Sequence, residues 1–394
     1  GRCREAEAFQ AQCAAVDVVL TAFGTARTDV ELLCGREWQR VVVDEAQNIK
    51  NPQTAQTKAI LRLPARHRLA LTGTPVENRL LDLWSIFNFL QPGYLGNREQ
   101  FRREFEGPIE RGDDPERAER LRRLVQPFIL RRLKTDQSII ADLPEKSEQK
   151  IYCNLTREQA ALYQAIVKDS ARQLEEAEGM QRRGLMLATL LKLKQVCNHP
   201  RQFLQDGSEF TAKRSHKLER LLEMVEEVVS EGQSLLIFSQ FTDLGGSLHQ
   251  WFREHTPYRN FYLHGGTPRA KREQMVTEFQ DDSQGPAVFV LSIKAGGVGL
   301  NLTRANHVFH FDRWWNPAVE DQATDRAFRI GQTRSVFVHK FVTLGTLEER
   351  IDQMIEDKKG LAGQIIGSDE AWLTELDNRA FQSLIALDRN AVLE

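Results

Sequence analysis

Short apolar runs rich in Val, Ile, Leu and Phe alternate along most of this chain with longer segments whose apolar residues recur every three or four positions. The first pattern suits strands of a parallel sheet covered on both faces and the second suits amphipathic helices. Their alternation predicts an α/β protein built on doubly wound parallel sheets. Strands are expected at 40–43 and 68–71, followed by a turn at Thr72-Gly73-Thr74-Pro75 and a helix opening at Asn78. Leu80, Leu83, Trp84, Phe87 and Leu90 recur at helical spacing and are read as core. Charged helices around 99–105 and 115–125 then form a surface protrusion, separated by the Gly-Asp-Asp-Pro turn at 112–115.

The middle of the chain reads differently. Thr156 and Gln159 have the spacing of a capping box, and the helix that follows buries Leu162, Ile166 and Leu174. Another helix over 185–196 ends at Cys197-Asn198-His199-Pro200. Beyond residue 215 helices at 217–230, 244–254 and 268–280 each precede a strand, at 234–238, 261–263 and 287–291. Strands at 307–311 and 336–341 complete a second parallel sheet. Thr346 and Glu349 form a second capping-box pattern, with Leu347, Ile351 and Ile355 as the buried stripe. This divides the chain into a first lobe with its protrusion at 1–135, a connection and second protrusion at 136–214, a second lobe at 215–346, and a helix with a tail at 347–394. The tail beyond Gly367 carries no interpretable motif.

Composition constrains this picture. A chain of 394 residues, 41% hydrophobic, can bury two or three cores. A net charge of −2 and a pI near 6.6 lack a global basic signature, so nucleic-acid binding would rest on a local positive groove. The five cysteines, at 3, 13, 34, 153 and 197, contain no C-x-x-C pair and read as reduced thiols. Cys197 and His199, without further ligands nearby in sequence, read as a helix-end packing feature rather than a zinc site. No apolar run is long enough to cross a membrane and no signal peptide is visible, so no membrane partner is expected.

Candidate chemistry sits where strands end. The strand at 307–311 delivers Asp312 to a turn, and a helix beyond Pro317 would place Gln322, Arg326 and Arg329 on one face through spacings of four and three. Paired guanidiniums suit a polyanion such as a nucleoside triphosphate; the alternative is a solvated face pairing with Asp321 and Asp325. At the C-terminal edge of the strand at 40–43, Asp44 is placed to hold Mg²⁺ and Glu45 to bind it or to deprotonate an attacking water. The alternative is an acidic turn. The hydroxyl of Thr72 and the flexible Gly73 could sense a γ-phosphate. Ser292, Lys294 and the glycines at 296, 297 and 299 follow a strand, where backbone amides can approach an anion closely. Trp315, beside Asn316 and Pro317, is a candidate stacking platform for a base, with Trp314 expected buried and Trp315 exposed. Arg131, Arg132 and Lys134 fit a phosphate backbone, a lobe-coupling role or a solvated turn.

The segments DEAQNIKN at 44–51, LTGTPVENRLLDLWSIFNFLQPGYLG at 71–96, ILRRLK at 129–134, LKQVCNHP at 193–200, LLIFSQF at 235–241, YLHGGT at 262–267, LSIKAGGVGLNLTRANHVFHFDRWWNP at 291–317 and QATDRAFRIGQ at 322–332 together resemble the Swi/Snf-type ATPases, double-stranded DNA translocases of helicase superfamily two. The resemblance implies two RecA-like lobes that close over ATP-Mg²⁺. It implies nucleotide contacts from Asp44, Gln47, Thr72, Gly73, Gly297, Gly299 and Gln322, and catalysis by Glu45, Arg326 and Arg329. DNA contacts would come from Thr21, Lys294, Trp315 and Asn316, with Thr21 following a strand at 16–20. A helix after 346 would brace the lobes. The DEAQ form and compact insertions look bacterial, which implies a cytoplasmic, nucleoid-associated monomer. One departure stands out: no segment fits G-x-x-x-x-G-K-[ST], the loop that cradles phosphates. In the family that loop lies upstream, so the first lobe is expected to be incomplete and the chain inactive alone. Competing expectations are an RNA-polymerase-associated recycling ATPase and a nucleic-acid-binding module without catalysis. Strand separation stays open, as does the nucleoprotein acted upon.

Overall fold

The computed structural model describes residues 6–72, 80–110, 114–130, 143–293, 299–360 and 376–388. The chain divides into two compact units, and the described residues up to 130 fall in the first while those from 143 onward fall in the second.

In the first unit, β1 (Trp38–Val43) and β2 (Ala65–Ala70) pair in parallel, with Val41 opposite Arg68 and Val43 opposite Ala70. The crossover contains α1 (Ala55–Arg62), whose N-cap Thr54 accepts from the Thr57 backbone N–H. Val43, Ala46, Ile49 and Ile60 pack against Ile86 and Phe89 of α2 (Leu80–Leu90). Arg68 stitches this layer together, its guanidinium donating to the carbonyls of Phe89 and Leu63 at 2.9 Å each. Strand alternation sends Val42, Leu69 and Leu71 to the opposite side, where they are 50%, 47% and 46% exposed. The expected strand at 16–20 is absent: the segment makes no ladder, and Val16, Val18 and Leu20 stay exposed. Its sequence has strand character, but neither described strand takes it as a neighbour, and without a ladder its backbone gains nothing from extension.

The second unit is a six-stranded, all-parallel sheet in the order β3-β8-β7-β4-β6-β5, comprising β3 (Lys146–Cys153), β4 (Ser234–Ser239), β5 (Arg259–Leu263), β6 (Ala287–Ser292), β7 (Ala305–His310) and β8 (Val336–Thr343). All six residues of β4 and of β6 are buried, as a central strand covered on both faces requires. β3 lies within the segment read from sequence as connection, yet it forms the edge of this sheet beside β8. Its alternation of Lys, Ser, Glu and Gln masks it, because an edge strand is half-solvated.

A second core forms where α3 (Arg157–Glu176) and α4 (Gly179–Asn198) pack on later helices. The sheet layer adds α5 (His216–Ser230), α6 (Thr242–His255), α7 (Arg269–Gln280) and α8 (Pro317–Thr324), followed by α9 (Leu347–Gly360) and α10 (Asn378–Ile385). The capping box at Thr156 and Gln159 forms as its spacing predicts. At α9 the pattern slips by one: Thr346 Oγ1 accepts from Glu348 N at 3.2 Å, and Glu349 reaches Gly345 N at 2.7 Å. Glu348 is instead drawn inside, where it pairs with Lys217 of α5 at 2.6 Å with both side chains at 1% exposure or less. Within the tail that sequence left uninterpreted the described residues form α10, and Arg350 of α9 donates to the Leu384 and Ala386 carbonyls to hold it. Phe381 and Ile385 of α10 are fully buried in the second core.

Across the sheet, Gln149, His339, His307 and Gln233 form a hydrogen-bonded chain with steps of 2.7, 3.1 and 2.7 Å. One self-consistent pattern has Gln149 donating to His339 Nδ1, His339 Nε2–H to His307, and His307 Nε2–H to Gln233, so each ring carries one proton. A second proton on either ring would set donor against donor. Burial holds both imidazoles down at about 4, and the fully buried His310 likewise. Since their folded values lie below the ordinary 6.5, the stability they confer is complete above that pH and lost as pH falls through about 4. The urea midpoint is therefore expected to fall on acidification across this window. Buried His199 is held down to about 4 as well, so a His307→Leu/His339→Leu variant, lacking two of these four titrations, should show a shallower slope.

Candidate nucleotide and DNA site

The acidic end of the first unit is shaped by its backbone. Leu71 N donates to Val43 O at 2.8 Å and Ala46 N to Leu71 O at 2.9 Å, so the ladder holds on either side of Asp44 and Glu45. Glu45 has φ 48°, a left-handed conformation that costs a non-glycine residue about 1–3 kcal/mol. Its carbonyl accepts from Asn48 N and from Asn48 Nδ2, at 2.9 and 3.0 Å, which fixes the turn. Asp44 remains exposed, and its Oδ1 accepts from Glu45 N at 2.9 Å.

A relay orients the second carboxylate. Thr72 Oγ1, just past β2, donates to Gln47 Oε1 at 2.8 Å, and Gln47 Nε2 donates to Glu45 Oε2 at 2.6 Å. Thr72 and Gln47, expected to meet nucleotide, thus also set the direction of the Glu45 carboxylate. The donors here are carboxylate oxygens at a strand end, which fits Mg²⁺, an ion commonly bound by one or two carboxylates plus substrate phosphates. Among the described residues no larger cluster of acids, histidines or cysteines could hold a metal. Thr21 is exposed. Gly73, Lys294 and Gly297, along with Arg131, Arg132 and Lys134, lie outside the described residues, while Gly299 is exposed with φ 41°.

In the second unit the expected helical face does not form. α8 stops at Thr324, and Arg326 N and Ala327 N close tight turns onto Ala323 O and Thr324 O. The cause lies downstream. Gly331, with φ 101°, swings Gln332 inward, where its Nε2 reaches the carbonyls of Thr303, Ala305 and Ala327. Leu302 N also donates to Arg326 O, which fastens the loop to the 302–305 turn. Gln322, Arg326 and Arg329 therefore do not stack: Arg326 is 5% exposed, Gln322 half-buried, and Arg329 projects into solvent. Gln332 went unnoticed in the sequence, although an amide directly after the glycine of Ile-Gly-Gln was the available signal.

The two tryptophans exchange their expected roles. Trp315 is 8% exposed in the second core, with the Lys194 ammonium 4.4 Å over its ring, while Trp314 is only half-buried. The reason is Lys194, itself fully buried on α4, which donates to the Arg313 carbonyl at 2.8 Å and draws the adjoining indole beneath it. An enclosed indole cannot serve as a stacking platform. Asn316 is 6% exposed and caps α8 by accepting from Ala318 N at 2.9 Å. Asp312, at the end of β7, accepts from Ser239 Oγ at 2.5 Å and from Gln240 N at 3.0 Å. Burial is the largest influence on its carboxyl and pushes it up to about 6 against those bonds. His199 behaves as the helix-end reading expects, with its Nδ1 accepting from Arg201 N at 3.1 Å.

Residues 2–202 match the model of the SNF2-related domain and residues 216–331 that of the helicase conserved C-terminal domain. Bacillus subtilis YwqA, whose name describes an ATP-dependent helicase/translocase, is 45% identical over 384 residues, covering 97% of this chain and 41% of its own length. The Zorya protein ZorD of Escherichia coli is 38% identical over 364 residues, covering 89% of this chain and 33% of its own. This chain therefore spans well under half the length of these curated relatives. The Sulfolobus solfataricus SWI2/SNF2 ATPase core in complex with double-stranded DNA superposes with a TM-score of 0.56 at 44% identity, over 95% of this chain and 78% of that one. The C-terminal domain of the Sulfolobus ATPase, covered completely, gives a TM-score of 0.54 at 40% identity.

Removing the Ser239 hydroxyl takes away a bond that stabilises the ionised form of Asp312. Ser239→Ala is expected to raise the Asp312 midpoint above about 6, followed by carboxyl ¹³C shifts across pH; an unchanged or lower midpoint would contradict the assigned bond.

Proposed function

Because the chain belongs to the SNF2 family of ATP-dependent, helicase-like proteins, we propose that it provides catalytic and DNA-contacting parts of a double-stranded DNA translocase that remodels protein–DNA complexes. The observation that carries this reading is the Thr72–Gln47–Glu45 relay, which aims one carboxylate while leaving its neighbour Asp44 exposed at a strand end. Such pairing suits a task split between holding a cation and activating water. The Sulfolobus relative solved with duplex DNA supports the choice of polymer. No G-x-x-x-x-G-K-[ST] segment occurs in the 394 residues, so phosphate cradling is assigned to another part of the whole protein.

In this mechanism Asp44 and Glu45 are the residues that would hold Mg²⁺, and Glu45, with Oε2 fixed by Gln47, would take the proton of the attacking water. When bound, Mg²⁺ would neutralise charge on the phosphate oxygens. Arg329 would supply positive charge to the transferred phosphoryl and Arg326 would support it from the buried side of the same loop, and Gln322, Gly73, Gly297 and Gly299 are proposed as nucleotide contacts. Thr21 and Lys294 contact DNA phosphates, which give affinity without sequence preference. Trp315 and Asn316 take no direct part and shape the segment that carries the arginines.

In the whole protein, Arg329→Ala is expected to leave far-UV circular dichroism unchanged and lower duplex-stimulated ATP hydrolysis by about 10³–10⁵. Glu45→Gln should likewise abolish turnover. Duplex and single-stranded DNA are compared in the same assay, with strand release read in parallel. Undiminished turnover in Arg329→Ala, or stimulation by single strands alone, would overturn the proposal.

A further inference from the structure

Arg313 is the largest fully enclosed side chain described, and its side chain and carbonyl together meet three different elements. Its Nε donates to Glu320 Oε1 of α8 at 3.0 Å, its Nη1 pairs with Asp352 of α9, and its carbonyl accepts from Lys194 of α4. Trp314 N also donates to Glu320 Oε1, at 2.8 Å, which ties the start of the segment to α8. Around this centre charges alternate: Lys150 of β3 meets Asp352 at 2.8 Å, and Lys340 of β8 meets Glu148 at 2.9 Å and Glu320 Oε2 at 3.8 Å. Glu320 Oε2 makes no hydrogen bond, so Arg313 and the Trp314 backbone N–H hold that carboxylate through its other oxygen.

A buried ion network of this kind is a poor device for stability, since apolar residues of similar volume are often as good or better. It is well suited to fixing geometry, because a planar guanidinium with directional donors permits few arrangements. α8 leads within two residues to Arg326 and within five to Arg329. We propose that Arg313 is a positioning residue that keys α9 and α4 to α8, so that the placement of α9 determines how the loop at 325–332 presents its guanidiniums. The kinetic part of this proposal rests on the ATPase reading above; the mechanical part does not.

The test uses Arg313→Met, Arg313→Lys and Asp352→Asn in the whole protein. Hydrogen exchange is expected to show loss of protection at the amides of 325–332 in Arg313→Met and Asp352→Asn. With duplex DNA, kcat should fall roughly 10²-fold, the scale of a misplaced catalytic group. KM for ATP should stay within about twofold, because binding is left intact. Arg313→Lys should recover part of the loss. In an Arg329→Ala background Arg313→Met should cost much less than in the wild-type protein, since only Arg326 is left to misplace, whereas general destabilisation would add to that loss in full. Unchanged protection at 325–332, or additive losses, would overturn the proposal. A wild-type protein without DNA-stimulated hydrolysis would instead overturn the functional reading, and the exchange result would still decide the coupling. If Arg313→Met fails to fold, Asp352→Asn, which keeps the size of the side chain, decides alone.

Discussion

A charged group inside a parallel α/β core costs several kcal/mol unless it finds counter-charge and hydrogen bonds there, and this constraint organises the second unit. Lys217 and Glu348 satisfy it as a pair, with Glu348 also accepting from the backbone and hydroxyl of Thr343 at 2.9 and 2.7 Å. Lys194 satisfies it with a carbonyl and an indole face. Because each partner comes from a different element, neutralising these charges also joins α4, α5 and α9 to the strand ends.

The first unit solves a related problem with neutral groups. Glu45 sits in a strained backbone conformation, and the strain is sustained by bonds from Asn48, Gln47 and the β2 end. A threonine hydroxyl and a carboxamide transmit the position of one strand end to the carboxylate at another. That suits a site whose acid must point correctly before any substrate arrives.

Much of this was legible in the sequence, for identifiable reasons. β4 and β6 are uninterrupted apolar runs, so burial on both faces shows directly in composition. Asp44 and Glu45 at a strand end, and Thr156 with Gln159 at a helix start, are local patterns that local structure honours. What failed was decided at a distance. α8 ends early because Gln332 and Leu302 pull on the following loop, and Trp315 rather than Trp314 turns inward because Lys194 arrives from another helix. β3 escaped notice because half its side chains face water, whereas 16–20 had strand composition and no neighbour.

The uncovered side of the two-stranded sheet has a practical consequence. Val42, Leu69 and Leu71 present branched hydrocarbon to solvent on one face of this pair, and among the described residues neither strand has a second neighbour. Such a surface recruits stray β-segments from neighbouring molecules. Solubility of the isolated polypeptide would then be governed at that side of the molecule, and charged gatekeepers introduced there would improve handling without touching the six-stranded sheet.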